Sequence, residues 1–549
     1  MSAVRGGTEI VWDNPSVIQR GAEVGWSRQL PMIVRITSHS AVWIAIVTPM
    51  VVVLSKGWIA GGDDAAIAIR SSQTLSLHPP LVGMYSTAAN SLGHPLFDPG
   101  PLLFWLLAVP VHIDPTHGLL WGAALVCGAA LSLAIEAAWS TTLWLGCVAV
   151  AFAAVDLLWR VPVVVEHLSW NAYFPIPFLI ATIVLAWVVG MGSLGWWPAL
   201  VFVASVAAQC HLIFVLPAVL LALLAPVLGW MATGRPDRLR WLAVGVLVGA
   251  ACWLAPLIQN FRTNGNLTAL LHNNAGEKTL GLSFGLKMLA AAGAPWPIWL
   301  RREPSGFYDV FRFVSGNSPA WGVATATLLA AIAVLARRRN RPLSILSLVG
   351  LVCSLSLVLS FTIYPVRNLV SVLYLICTLW VVGIVVWIAV VWAAVVGVSA
   401  LLRRYRWGPV PADVAERPRR PAALPALIAI GAVVLTTIAG LWSLRSVELG
   451  DSVIGWAPND TVVEQRVAHE VEHLVPRGPV VVQVTTVPSN SLSSLWIPEG
   501  VAWILMTDGW QPGLPPIGEA FTGLHPLPGS AAVHVTVDGT RIVAVQHAG

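Results

Sequence analysis

From residue 39 to residue 442 the chain is dominated by uninterrupted apolar runs separated by short polar stretches. Runs of roughly 17 to 25 residues match the length a helix needs to cross a ~30 Å hydrocarbon core. They are continuously apolar and do not alternate, so they predict helices and exclude a barrel. The pattern places spans over 39–56, 118–137, 140–158, 172–191, 196–211, 213–231, 240–258, 319–337, 342–363, 368 to about 400, and 421–442, eleven in all. An odd count puts the two ends of the chain on opposite faces. The shorter run Pro101–Ile113 is in the range of a re-entrant or interfacial helix, and is read as lying at the outer face.

After Trp442 the pattern changes to mixed polar and apolar. A helix over Thr461–Leu474 and strands over Val480–Val487, Val501–Met506, Ala531–Val537 and Arg541–Val545 are expected there, with Pro512-Gly513 and Asp538-Gly539 as punctuation. The fold class is therefore an all-α polytopic membrane protein of about 11 transmembrane helices plus a small extracytoplasmic α/β C-terminal domain. Three regions follow: a cytoplasmic segment 1–38, a transmembrane domain 39–442 with a large outer loop 57–117, and the C-terminal domain 443–549. The Pro- and Arg-rich stretch Pro409–Pro425 reads as a linker. The first 38 residues lack an apolar core followed by a small-residue cleavage site, so no removable signal peptide is expected.

Composition agrees with the pattern. Hydrophobic residues make up 57% of the 549 and charged residues only 10%, against about 25% charged in soluble domains. The net charge of +5 sits on short loops, which points to topology and excludes a nucleic-acid partner. Arg5, Arg20, Arg28 and Arg35, then Arg235, Arg238 and Arg240, then Arg337, Arg338, Arg339 and Arg341, then Arg403 to Arg420 all fall on one face under this count, and the positive-inside rule makes it cytoplasmic. All six cysteines lie in apolar runs without CxxC spacing, which argues against disulfides and zinc.

Candidate chemistry concentrates opposite the arginine clusters. The outer loop carries Asp63, Asp64, Arg70, His78, Tyr85, Asn90, His94 and Asp98. Carboxylates at a membrane surface are costly unless they meet a proton, a metal or a substrate. A simpler reading is that Asp63 and Asp64 favour the N-terminus of a helix over Ala65–Arg70. Further polar groups recur at predicted outer helix ends: Glu166–Asn171, Gln209-Cys210-His211, Gln259–Arg262 and Tyr364–Asn368. Arg262 and Arg367 run against the topological bias, which suits anion binding or snorkelling to headgroups.

The order of a first span, Gly62-Asp63-Asp64, Pro79-Pro80-Leu81-Val82-Gly83-Met84-Tyr85-Ser86, then Asp98-Pro99-Gly100-Pro101-Leu102-Leu103-Phe104-Trp105 resembles the membrane glycosyltransferases of the GT-C fold. More narrowly it resembles the actinobacterial type that uses polyprenyl-phosphate sugars, in which an Asp-Asp or Asp-Glu pair is followed by Gln-x-His, here Gln209-Cys210-His211. Relatives often carry His before Pro-Gly-Pro, where this chain has Asp98, with His94-Pro95 nearby.

The resemblance implies sugar transfer from a polyprenyl-phosphate donor to a cell-envelope glycan or glycolipid acceptor, outside the cytoplasm and at the plasma membrane. Arabinofuranose, mannose and glucose all remain open as the sugar. Asp63 is the expected base. Asp64 is expected to raise the proton affinity of Asp63, orient the acceptor, or help hold a divalent cation as cofactor. Arg70, His211 and Arg367 are candidates for the phosphate side, with His94 and Asp98 also in the substrate site. The rival reading is a transporter or flippase of a lipid-linked substrate.

Overall fold

The computed structural model describes residues 15–86, 95–141, 144–160, 167–232, 238–262, 265–272, 277–300, 312, 314, 316–405, 431, 433–440, 458–487, 493–538 and 541–548. The long helices are α1 (Pro15–Ser55), α4 (Gly118–Ser140), α5 (Trp144–Arg160), α6 (Pro175–Gly190), α7 (Trp197–Cys210), α8 (Val215–Ala232), α9 (Arg238–Arg262), α12 (Pro319–Ala336), α13 (Arg341–Thr362) and α14 (Thr378–Tyr405). Shorter helices are α2 (Gly62–Gln73), α3 (Leu102–Ile113), α10 (Asn266–His272) and α11 (Gly281–Gly293). Among the described residues seven helical stretches, from Met32–Ser55 to Thr378–Leu402, are long and apolar enough to cross a membrane. The chain is a multi-pass membrane protein.

Ten of the eleven expected spans coincide with helices; most of the eleventh, 421–442, lies outside the described residues, with 433–440 helical. Helix α1 begins at Pro15, so part of the 1–38 segment is helix continuous with the first span. Helix α11 falls in a stretch the apolar pattern left unassigned. It is only 13 residues long and Lys287 interrupts it, which hides it from a search for spanning lengths. Every residue of α6 is buried. A helix apolar on all sides belongs at the centre of a bundle, and α6 packs on α4, α7, α8 and α13.

The C-terminal elements are α15 (Pro458–Leu474), β1 (Pro479–Val487), α16 (Ser493–Thr507), β2 (Gln511–Gly513), α17 (Pro516–Thr522), β3 (Ala531–Asp538) and β4 (Arg541–Ala548). They form one sheet in the order β2-β1-β3-β4, with β1 parallel to both β2 and β3, and β3 antiparallel to β4. The expected strand Val501–Met506 is instead the second half of α16. A short run of buried apolar residues fits strand or helix equally well by periodicity alone. One side of α16 (Ile497, Val501, Leu505) joins the core of the C-terminal unit, while Ala502 and Trp503 join the core of the helical bundle.

Candidate active site

Helix α2 carries the acid pair in its first turn, where carboxylates complement the helix dipole. Ala65, Ala66 and Ala68 favour the helix, and Ala65 to Ile69 are completely buried, so α2 is a rigid mount packed against α3 and α16. The helix-start reading of Asp63 and Asp64 is thus correct as local structure, and it leaves their side chains to be explained.

Those side chains meet one short segment before α6. Trp170 Nε1 donates to Asp63 Oδ2 at 2.7 Å. Ser169 Oγ donates to Asp64 Oδ1 at 2.6 Å, and His167 Nδ1 lies 3.3 Å from Asp64 Oδ2. Asn171 Nδ2 donates to Asp98 Oδ2 at 2.8 Å. Four of the five residues 167–171 therefore supply partners to all three carboxylates. Both oxygens of Asp64 are engaged, whereas Asp63 Oδ1 is buried without a hydrogen-bond partner. A buried acceptor left open in this way is uncommon and calls for a functional explanation.

Asp98 arrives on a second element. Residues 83–86 run antiparallel to 96–98: Gly83 N–H donates to Asp98 O at 3.0 Å, Asp98 N–H to Met84 O at 2.7 Å, and Ser86 N–H to Leu96 O at 2.8 Å. Gly83 is required by this approach, since a Cβ there would lie 2.8 Å from that of Asp98. The amide of Asn266 grips Phe97, accepting from its N–H at 2.9 Å and donating to its carbonyl at 3.0 Å. The turn after Asp98 is closed by Gln209 at the end of α7, whose side chain occupies the space a Cβ on Gly100 would need. Gln209 Nε2 also donates to Cys252 O at 2.7 Å. The Gln-x-His segment and the Asp-Pro-Gly-Pro segment are thus in direct contact.

Burial pushes Asp63 up to about 6; the Trp170 hydrogen bond opposes this, Asp64 adds to it by like-charge repulsion, and His167 opposes it. Desolvation, not the neighbouring acid, is the larger influence. Burial likewise holds Asp98 well above the usual carboxylate range, opposed by Asn171 and reinforced by Asp63. Asp63 is poised to exchange a proton near neutrality.

The remaining expected residues make other contacts. Arg70 is two turns along α2, its guanidinium 5.9 Å from the Phe104 ring centre and Nη1 3.3 Å from Gln73 Oε1; burial lowers its pKa to about 10. Its Nε is buried without a partner. His211 joins α7 to the next turn, where its Nδ1 accepts from Ile213 N–H at 3.4 Å. Arg367 is paired with Glu277 at 2.6 Å. His94 lies outside the described residues. All six cysteines are free and buried. Among the described residues no group of three or more His, Cys, Asp or Glu is placed to hold a metal ion.

An apolar cavity of about 230 Å³ opens between α7, α8 and α9, walled by residues including Trp197, Val201, Ala204, Ala208, Val246 and Trp253. Ala208, the residue before Gln209 on α7, is among the residues that line it. The sequence singled out the 166–171 polar segment, but it gave no sign that Ser169, Trp170 and Asn171 each hold a different carboxyl group.

No protein-family profile matches the chain, and no curated protein matches it in sequence. Among solved structures it is similar to ArnT from Cupriavidus metallidurans, both bound to undecaprenyl phosphate and in the apo state. Identity is 14% and the TM-score 0.46 in each case, over 93% and 94% of this chain respectively and 93% of ArnT. It is also similar to an oligosaccharyltransferase from Archaeoglobus fulgidus in the apo form, at 14% identity and TM-score 0.32, over 87% of this chain and 64% of that one.

Proposed function

We propose that the protein is a glycosyltransferase of the GT-C type that moves a sugar from a polyprenyl-phosphate donor to a glycan or glycolipid acceptor on the outer side of the plasma membrane. The observation that carries this reading is the inequality within the acid pair: Asp64 is locked by Ser169 and His167, while Asp63 keeps one buried, unpartnered oxygen. An acceptor hydroxyl is the donor that oxygen lacks. Asp63 takes its proton as the hydroxyl attacks the anomeric carbon, and the bond from that carbon to the lipid phosphate breaks with its electron pair leaving on the phosphate. A carboxylate raised to about 6 is ionised at neutral pH yet basic enough to accept a proton.

Arg70 is the cation proposed for the departing phosphate. It stands seven residues from Asp63, about 10 Å along the helix axis, and its buried Nε has no partner. The cavity between α7, α8 and α9 would take part of the polyprenyl chain, where each buried methylene contributes about 0.8 kcal/mol. His211 and Arg367 are secondary candidates for the phosphate side, and Arg367 would first have to leave Glu277. In this reading the N-terminus faces the cytoplasm and the C-terminal unit lies outside it.

The test is transfer by the purified protein in lipid nanodiscs, using polyprenyl-phosphate arabinofuranose, mannose and glucose with oligosaccharide acceptors. The reading expects a lengthened acceptor with at least one donor. Movement of the intact donor across proteoliposomes, without any glycosidic product, would instead identify a transporter.

A further inference from the structure

The N-terminus of α2 meets the C-terminal unit. Its N-cap residue, Gly61, has no side chain with which to cap the helix. The N–H of Gly62 donates instead to Glu464 Oε1 at 3.3 Å, 402 residues further along the chain. Glu464 lies on α15 and is only 1% exposed. Two glycines make room for it: a Cβ on Gly61 would stand 2.6 Å from Glu464 Oε2, and one on Gly500 of α16 would overlap the same carboxyl group. Gly62 has φ +51°, and a Cβ there would press on Trp496 of α16 at 3.2 Å. This is a fitted socket for an acid on the buried face of α15, three residues before Val467 and seven before Val471.

Burying a carboxyl group costs several kcal/mol unless the site returns something. Here it satisfies an N–H at the positive end of α2. It also fixes α16 across the helix that carries Asp63 and Asp64. We propose that Glu464 is a positioning residue for Asp63: reaching in from the C-terminal unit, it caps α2 and keeps that unit seated over the acid pair.

The proposal rests on the reading of Asp63 as the base. The titratable groups that face Asp63 are Asp64 on its own helix, His167 before α6, Asp98 before α3, and Glu499 on α16. Glu499 is fully buried, neither of its oxygens has a hydrogen-bond partner, and burial holds it well above the usual range, with Asp63 and Glu464 adding to the effect. Removing the cap lets water reach Asp63, which favours its ionised form.

The full-length protein in nanodiscs is treated with a hydrophobic carbodiimide, which attacks protonated carboxyl groups, across a pH series. Labelling of Asp63 is read by peptide mass spectrometry, and sugar transfer is measured on the same samples. Glu464→Ala is expected to lower the pH midpoint of Asp63 labelling by about one unit. Glu464→Gln, which can still accept from the Gly62 N–H, is expected to stay closer to the wild type than Glu464→Ala in both readouts. Gly61→Ala, which pushes the carboxyl group aside, is expected to shift the midpoint in the same direction and decides the matter if Glu464→Ala does not fold. An unchanged midpoint in the folded variants, or Glu464→Gln as disturbed as Glu464→Ala, would overturn the proposal. A shifted midpoint in a protein that transfers no sugar would leave the positioning role standing and reject the transferase reading.

Discussion

The indole N–H of Trp170 donates to Asp63 Oδ2 at 2.7 Å across 107 residues of chain. It decides which oxygen of Asp63 is occupied and which stays open, and it opposes the burial that raises the proton affinity of this carboxyl group.

Trp170→Phe keeps the ring and deletes the donor. A hydrogen bond to a charged group contributes about 1.5–3 kcal/mol, or about one pKa unit or more. Its loss disfavours the carboxylate, so the acid limb of the kcat/KM profile is expected to move from about pH 6 to higher pH. At pH 6 the variant should then lose more activity than at pH 8. Rate measurements at these two pH values check the sign.

Asp98 and Asp63 should answer differently to the same substitution. Burial holds Asp98 well above the usual carboxylate range, and Asn171 hydrogen-bonds it, so its neutral form is favoured and it is the poorer candidate for a base. Asp98→Asn is therefore expected to retain transfer within about tenfold at pH 7, a small change beside the loss of a general base. A comparison of initial rates for Asp98→Asn and Asp63→Asn at one pH tests the contrast.

The sequence made the membrane class and the acid pair legible, because spanning length and carboxylates beside apolar flanks are local signals. It hid α11, where Lys287 breaks a short apolar run, and it misread Val501–Met506, whose burial on both sides erases the helical period. Asp63, Asp64 and Asp98 could be singled out as residues. Their division of roles could not, since it depends on the fold bringing Ser169, Trp170 and Asn171 to three different carboxyl groups. Glu464 was invisible for the same reason: its partner is the N-terminus of a helix 402 residues away, behind glycines that only the fold brings together.

Gly100→Ala should be far more damaging than its size suggests. The added methyl group would overlap the Gln209 side chain, itself held by the carbonyl of Cys252. Overpacking of this kind costs about 1–3 kcal/mol, and relief by moving the turn would displace Asp98. A lower melting temperature together with reduced transfer is expected; thermal melts and rate assays on the same preparation check both.

Glu499→Gln tests the buried acid through stability. A carboxyl group whose folded pKa lies above its unfolded value stabilises the fold at low pH, and that contribution is lost as pH rises from the unfolded value through the folded one. For Glu499 the loss begins near the usual 4.5. The Gln variant has no such dependence. Its melting temperature relative to the wild type is expected to be higher at pH 8 than at pH 5, which paired melts at the two pH values would show.

The most direct measurement is the initial rate of labelled-sugar transfer from a polyprenyl-phosphate donor by Asp63→Asn at pH 7.5, alongside donor binding and a thermal melt. With Asp63 as the base, the rate falls by about 10²–10⁴-fold while binding and stability stay close to wild type. Transfer at the wild-type rate by a protein that lacks this carboxylate would contradict the account.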